Sequence, residues 1–165
     1  VVLAEAARRR AVPVDTAEVS AGRVSGNQAA CTRVVAHLLD NAARHAESGV
    51  AVRLGPVGEH PGDGAGVTTA DPVVDAPAAG DVELVVDDDG PGVPVADRQR
   101  IFERFTRLEE ARTRDRGGAG LGLAVVAETV RSLGGTVTVG DSPHGGARFT
   151  VTLPGVAAPR EEMSG

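Results

Sequence analysis

The chain has 165 residues, a formal net charge of −6 and 41% apolar residues, a composition that suits a single domain with a core of its own. This acidic balance argues against nucleic-acid binding, which needs a basic surface to displace counterions. All 17 basic residues are arginine, which excludes a Walker P-loop and a eukaryotic-type protein kinase site, because both use a lysine.

The first half of the chain is predicted to contain three strands and a long helix. Alternating apolar residues over 12–19 predict an edge strand. Over 27–46 apolar residues recur at helical spacing, with Ser25 or Asn27 as a candidate N-cap. Residues 50–54 and 82–86 are predicted to be neighbouring strands. Between them, residues 55–80 contain few large apolar residues, and a flexible insertion is predicted there.

The second half predicts a short helix, a longer helix and two closing strands. An acidic Gly/Pro turn covers 87–94, a short helix is predicted over 97–105, and the stretch 106–118 is polar and arginine-rich. A helix over 121–133 ends at two glycines, strands follow over 136–139 and 147–153, and 156–165 is expected to be a tail. This order predicts an α+β fold: a two-layer α/β sandwich with a mixed, mostly antiparallel sheet and its helices on one face.

One face of the first predicted helix is polar. His37, Asn41, Arg44 and His45 occupy positions i, i+4, i+7 and i+8, so they share a face opposite the apolar residues. Such a face either presents an amide, imidazoles and a guanidinium to a ligand or is simply solvated. The helix pattern alone leaves both interpretations open.

Three acidic residues, Asp87, Asp88 and Asp89, end the strong strand before Gly90 and Gly92. Carboxylates at a strand end can hold a metal or accept hydrogen bonds from a ligand amine, and glycines allow close backbone approach. The alternative interpretation is an ordinary tight turn after a strand.

A second glycine cluster, over residues 117–122, leads directly into the second long helix. Free backbone N–H groups and the helix dipole make such a place suitable for an anion. The cluster does not follow a strand, so it does not fit a dinucleotide-binding fingerprint. Phe102 and Phe105, two of only three phenylalanines, lie in the polar stretch before it, which suggests an amphipathic lid that docks through them.

The order of these motifs is more specific than any one of them. The segments HLLDNAARHA, VVDDDGPGVP, IFERFTRL, GGAGLGLAVV and GGARFTVTLP follow one another between residues 37 and 154, within a stretch of resemblance that covers residues 12–154. This set resembles the successive sequence boxes of the ATP-binding domain of sensor histidine kinases. That family belongs to the wider group that includes DNA gyrase, Hsp90 and MutL, whose ATP-binding fold is the Bergerat type.

The resemblance implies ATP and Mg²⁺ as cofactors and assigns a role to several residues. By analogy, Asn41 ligates Mg²⁺, Arg44 contacts phosphate, and His45 lies near the ribose or adenine. Asp88 accepts a hydrogen bond from the adenine amine, and the neighbouring acids Asp87 and Asp89 are expected to be solvated. The remaining implied nucleotide-binding positions are Gly90, Gly92, Val93, Gly118, Gly120, Leu121, Gly122 and, on the adenine side, Thr150.

Residues 103–118 correspond to the family's ATP lid, with Phe105 as its anchor and Arg104 or Arg107 within reach of the γ-phosphate. One position departs from the family pattern: His37 stands where a second asparagine is usual, and it is counted among the nucleotide-binding residues. This substitution could weaken Mg²⁺ binding.

The resemblance also implies partners. None of the four histidines is followed by an acidic residue, as a phosphoacceptor histidine would be. The acceptor is therefore expected on a separate dimerisation domain, with residues 1–10 as the trailing end of its last helix or a linker, 11–155 as the ATP-binding domain, and a homodimer only in the full-length protein. A response regulator is the expected phosphoryl recipient.

The protein is expected to be the cytoplasmic portion of a membrane-anchored kinase. Two alternatives remain: an anti-sigma-factor serine kinase of the same fold, and a degenerate ATP-binding module that serves as a scaffold.

Overall fold

A six-stranded mixed sheet with two helices forms the structure, a computed structural model that describes residues 12–58, 67–68, 80–105 and 121–156. The strands are β1 (Val14–Val19), β2 (Val50–Pro56), β3 (Val67–Thr68), β4 (Val82–Asp88), β5 (Thr136–Asp141) and β6 (Ala147–Leu153). Their order across the sheet is β1-β2-β4-β6-β5-β3. Among the strands of the described residues, only the β1–β2 pair is parallel, as the predicted mixed, mostly antiparallel sheet requires.

The two helices, α1 (Gln28–His45) and α2 (Gly122–Ser132), pack on each other and on one face of this sheet. Asn27 is the N-cap of α1: its Oδ1 accepts a hydrogen bond from the Ala29 N–H at 2.8 Å. Alternate residues of β2, β4, β5 and β6 face the helices, and they form one apolar core with the inner sides of α1 and α2. Its most deeply buried members are Leu38, Leu39, Val52, Val86, Val126, Val130, Val139, Phe149 and Val151. The predicted α+β sandwich with helices on one face is therefore confirmed.

The opposite face of the sheet carries a buried ion pair. Asp87, 2% exposed, accepts hydrogen bonds from Arg148 Nε at 2.8 Å and from Arg148 Nη2 at 3.1 Å. The Arg53 guanidinium lies 3.5 Å from the same carboxylate. Because these three residues belong to β2, β4 and β6, their charge interactions link the central strands at the end where the candidate site lies.

Two predicted elements differ from the structure. Residues 97–105 do not form one short helix; two 3-10 turns occupy 95–97 and 100–102, and Glu103 is already extended. The segment 55–80, predicted to be a flexible insertion, contains some regular structure. Strand β2 continues to Pro56, and Val67–Thr68 adds an edge strand beside β5, as suits two β-branched residues. Residues 59–66 and 69–79 of that insertion lie outside the described residues.

The antiparallel register brings the chemistry to one end of the sheet. Val50 pairs with Asp88, and Asp87 pairs with Arg148. The end of α1, the start of β2, the end of β4 and the start of β6 therefore meet there. Within the described part of the chain, neither helix has the length and apolarity of a membrane span.

Candidate functional site

Asp88 is the buried acid at the centre of this end of the sheet. Strand alternation places its side chain on the same face as Leu84 and Val86, toward the helices. Its Oδ1 accepts hydrogen bonds from the backbone N–H groups of Gly90 and Ala147, both at 3.0 Å. Among the described residues, Oδ2 accepts no hydrogen bond, so it remains available to a donor on a ligand.

Burial raises the pKa of the Asp88 carboxyl above its ordinary value, although the N–H groups of Ala147 and Gly90 and the nearby His45 act in the opposite direction. The carboxyl is 2% exposed. A buried acid with one oxygen hydrogen-bonded and the other unpartnered among the described residues is suited to recognising a hydrogen-bond donor, because a partner for the second oxygen would offset the remaining cost of burial.

Glycines line the backbone around Asp88 because no side chain would fit there. A Cβ on Gly146 would lie 2.2 Å from Asp88 Oδ1, and a Cβ on Gly90 would lie 2.3 Å from the carbonyl oxygen of His45. Gly92 has a φ of 74°, which favours glycine. Gly146 was not among the predicted site residues; the Gly145-Gly146 pair before the closing strand was the available signal.

The polar face of α1 extends from the loop that contains Gly90 to the start of α2 at Gly122. At its C-terminal end, His45 attracts Asp88 electrostatically and its carbonyl oxygen contacts Gly90. At the other end, His37 lies beside Gly122, since a Cβ on that glycine would be 3.5 Å from His37 Nδ1. The two histidines are eight positions apart, which is a rise of about 12 Å along the helix. The α1 face thus connects the acid to the N-terminus of α2.

Asn41 and Arg44 lie between these two histidines. Asn41 is half-buried and Arg44 is exposed. In the part of the chain that the structure describes, neither side chain makes a hydrogen bond or ion pair. Both are therefore free to engage a ligand placed along this face.

The α2 end of the site is described only in part. Leu121 is 37% exposed and directly precedes the helix that begins at Gly122. Gly118, Gly120 and Arg107, which the sequence also placed in the site, lie outside the described residues.

Asp89 does not behave as the solvated neighbour that was predicted. Its carboxylate accepts hydrogen bonds from three successive backbone N–H groups, those of Glu47, Ser48 and Gly49, at 2.9 to 3.3 Å. The Ser48 hydroxyl is a fourth donor to the same carboxylate. These donors, the Ser48 hydroxyl foremost, hold the pKa of Asp89 well below its ordinary value.

The same prediction for Asp87 is also wrong, because the Arg148 and Arg53 pairs described above bury it on the far face of the sheet. Both errors have one cause. The sequence shows three acids in a row, but strand alternation and the strand end give each a different direction.

The loop after β4 is held by an arginine that was not among the predicted site residues. Arg98 is 6% exposed; its Nε donates to the carbonyl oxygen of Val93 at 3.1 Å, and its Nη2 pairs with Asp141 on β5. Val93 packs against the core. The loop with Gly92 and Val93 is thereby fixed to the sheet.

Phe102, and not Phe105, is the phenylalanine that packs against another aromatic ring. The Phe102 and Phe149 rings are 6.3 Å apart with an interplanar angle of 79°, an edge-to-face contact. Phe105 is 75% exposed with a φ of 64°, so the predicted Phe105 anchor is wrong for this conformation. Arg104, a predicted phosphate contact, instead pairs with Glu128 of α2 at 2.8 Å between two exposed side chains.

Thr150 is not brought to the site. It pairs with Val85 and Thr138 and shares the far face of the sheet with Asp87. Asp88 faces the helices, so the two side chains lie on opposite sides of the sheet. The expectation that Thr150 contacts the adenine side does not agree with this register.

No group of three or more His, Cys, Asp or Glu side chains that could hold a metal ion is present among the described residues. Mg²⁺ is commonly held by one or two protein oxygens together with substrate phosphates and waters. The Asn41 amide oxygen, half-buried and without a hydrogen-bond partner in the described chain, fits such a minimal role.

Comparison with known proteins agrees with this geometry. Residues 26–157 match the family described as histidine kinase-, DNA gyrase B-, and HSP90-like ATPase. The signal transduction histidine-protein kinase/phosphatase MprB of Mycobacterium sp. (strain KMS) is 40% identical over 154 residues, which cover 90% of this chain and 25% of that protein. The chain thus spans about a quarter of that relative's length.

Two solved structures are similar over nearly their whole length. The mycobacterial sensor histidine kinase MprB superposes with a TM-score of 0.70 at 29% identity, covering 95% of this chain and 94% of that one. The ATP-binding domain of PrrB from Mycobacterium tuberculosis gives a TM-score of 0.62 at 27% identity, with 94% and 93% covered.

Proposed function

We propose, from the premise that this chain belongs to the histidine kinase-, DNA gyrase B- and HSP90-like ATPase family, that it is the catalytic domain of a two-component sensor histidine kinase. In this proposal it transfers the γ-phosphoryl group of ATP to a histidine on a separate domain. The observation that carries the proposal is Asp88, a buried carboxylate with one oxygen fixed by two backbone N–H groups and the other without a hydrogen bond from any described residue.

Asp88 reads the adenine ring. Its Oδ2 accepts a hydrogen bond from the exocyclic amine, and a carboxylate, which only accepts, is matched to a group that donates. Gly90, Gly92 and Val93 shape the surrounding loop, which Arg98 holds to the sheet. His45, next to Asp88 at the end of α1, lies beside the ribose or adenine.

The triphosphate lies along the polar face of α1 toward the start of α2. Arg44 offsets phosphate charge, and His37 with the N-terminus of α2 at Leu121 and Gly122 meets the terminal phosphates. By the family resemblance, Gly118, at the end of the expected ATP lid 103–118, and Gly120, just after it, belong to the same phosphate-binding end. Asn41 would hold Mg²⁺, and the ion, when bound, would supply charge neutralisation for the phosphates.

The phosphoryl acceptor and the later partner lie outside this site. The acceptor histidine belongs to the dimerisation domain of the same protein, which is a homodimer at full length, and a response regulator receives the phosphoryl group from it. This domain is the cytoplasmic part of a membrane-anchored kinase. It supplies position and charge neutralisation; the attacking nitrogen comes from the acceptor domain.

Phosphorylation of the full-length protein tests this proposal. With ATP labelled in its γ-phosphate, we expect incorporation of label that is lost in acid and retained in alkali, as a phosphohistidine is, and no incorporation in the Asp88→Asn variant. Label that resists acid would favour the serine-kinase alternative. A full-length protein that binds ATP and takes up no label would favour the scaffold.

A further inference from the structure

Asp89 joins the end of α1 to the strand end that carries Asp88. Its Oδ1 accepts from the backbone N–H groups of Glu47 at 2.9 Å, Ser48 at 3.1 Å and Gly49 at 3.3 Å. Its Oδ2 accepts from the N–H of Ser48 at 3.0 Å and from the Ser48 hydroxyl. Successive N–H groups directed at one carboxylate form an anion nest, and here Asp89 occupies it.

This nest lies directly beside the residues proposed to read the base. The three N–H groups follow α1 at once, and His45, the last residue of that helix, contacts Gly90 through its carbonyl oxygen and attracts Asp88. Asp89 is the residue between Asp88 and Gly90. Its bonds therefore determine where the end of α1 lies relative to the Asp88 carboxylate.

We propose that Asp89 is a positioning residue for base selection: by holding residues 47–49 it fixes His45 and the end of α1 against Asp88, and so sets the preference for a 6-amino purine. This inference rests on the proposed function, because it assumes that Asp88 reads the adenine amine. Asp89 itself contacts no nucleotide in this account.

Replacing Asp89 should loosen this contact without removing any ligand-contacting group. In Asp89→Asn the amide nitrogen replaces one accepting oxygen, so a donor would face the donors of Ser48. A change of position of about 1 Å at a binding site can cost up to roughly a hundredfold in a reaction that depends on geometry. We expect a smaller effect on binding, a fall of roughly tenfold in base preference.

The test is the ratio of dissociation constants for inosine triphosphate and ATP, measured by calorimetry with Mg²⁺ on the wild-type chain and on Asp89→Asn. The two nucleotides differ at position 6 of the purine, where inosine has an oxygen in place of the amine. Partial unfolding weakens the binding of both nucleotides equally and leaves the ratio unchanged. The ratio therefore distinguishes a positioning role from a general loss of structure.

Asp15→Asn is the matched control, since Asp15 is an exposed acid that accepts a backbone N–H, that of Ala17 at 2.9 Å, on the edge strand β1. It should keep the wild-type ratio. Ser48→Ala, which removes only the hydroxyl donor, should lower the ratio by less than Asp89→Asn does. It serves as the test if Asp89→Asn does not fold.

The inference is supported if the ratio of dissociation constants is lower in Asp89→Asn than in the wild type and unchanged in Asp15→Asn. Equal weakening of both nucleotides, or an unchanged ratio in Asp89→Asn and Ser48→Ala, overturns it and leaves the proposed function intact. A wild-type chain that binds neither nucleotide overturns the proposed function, and the inference with it.

Discussion

Three adjacent carboxylates at the end of β4 take three different roles because the backbone directs each to a different place. Asp87 faces the far side of the sheet and pairs with Arg148, Asp88 faces the helices, and Asp89 lies beyond the strand end against residues 47–49. Only the second has an oxygen left for a ligand among the described contacts. Burial and hydrogen bonding, and not residue type, separate the acid that we propose reads the base from its neighbours.

Asp88→Asn should leave the folded chain at least as stable as the wild type at neutral pH. Burial raises the pKa of Asp88 above 3.8, so the ionised carboxylate is disfavoured in the folded state. The wild type therefore loses stability from this residue as pH rises from the unfolded-state pKa through the higher folded-state pKa. Asparagine can still accept at Oδ1 and carries no charge.

Thermal unfolding of the two proteins between pH 3 and pH 8, a range of about five units around the titration of a carboxyl group, measures this effect. The Tm of Asp88→Asn minus that of the wild type should be near zero or negative at the acid end and should become more positive toward neutral pH. A Tm difference that becomes more negative with rising pH would show that the ionised carboxylate stabilises the fold.

At the scale of elements, the sequence predicted most of the helices and strands. The periodicity of α1 and α2 and the alternation in β2, β4, β5 and β6 located each to within a few residues, because each has one apolar face. Short elements were less well predicted. The 3-10 turns at 95–97 and 100–102 and the two-residue β3 are set by contacts with the rest of the molecule, which local pattern does not report.

The two phenylalanines of the segment after β4 make a matched pair for a packing test. Phe102 packs edge-to-face on the buried Phe149, whereas Phe105 is 75% exposed. We expect Phe102→Ala to lower the free energy of unfolding by about 2–3 kcal/mol, less than a fully buried phenylalanine because Phe102 is only half-buried. Phe105→Ala should change it by about 0.5 kcal/mol or less.

Urea unfolding of both variants, with the midpoint and slope compared with those of the wild type, checks this difference. A larger loss for Phe105→Ala than for Phe102→Ala would mean that Phe105 docks in solution as the sequence resemblance first implied. The difference could not be read from sequence, since both residues occupy the same polar stretch and only the contact with β6 distinguishes them.

At the scale of the whole molecule, the candidate site exists because distant segments meet at one end of the sheet. Asn41, Asp88 and Gly122 are far apart in sequence, and the antiparallel register with the two packed helices brings their elements together. The ordered motifs predicted this set from sequence alone. What they could not predict depends on tertiary contacts: the Gly146 approach to Asp88, the Arg98 pair with Asp141 and the Asp89 nest.

The register of the sheet also removes a residue from the predicted set. Thr150 was placed on the adenine side from its position in the closing motif, yet it lies across from Val85 on the face opposite Asp88. A shift of one residue along a strand reverses its side-chain direction. A motif match alone therefore does not say which residues of a strand face the ligand.

In the proposed function, a nucleotide binds between the polar face of α1 and the end of β4, with adenine at Asp88. Calorimetric titration of the chain with ATP and Mg²⁺, for the wild type, Asp88→Asn and the Asp15→Asn control, tests it most directly. We expect binding by the wild type and the control, and a loss of at least about tenfold in Asp88→Asn, where an amide donor can face the adenine amine. Equal affinity of Asp88→Asn and the wild type would contradict the claim.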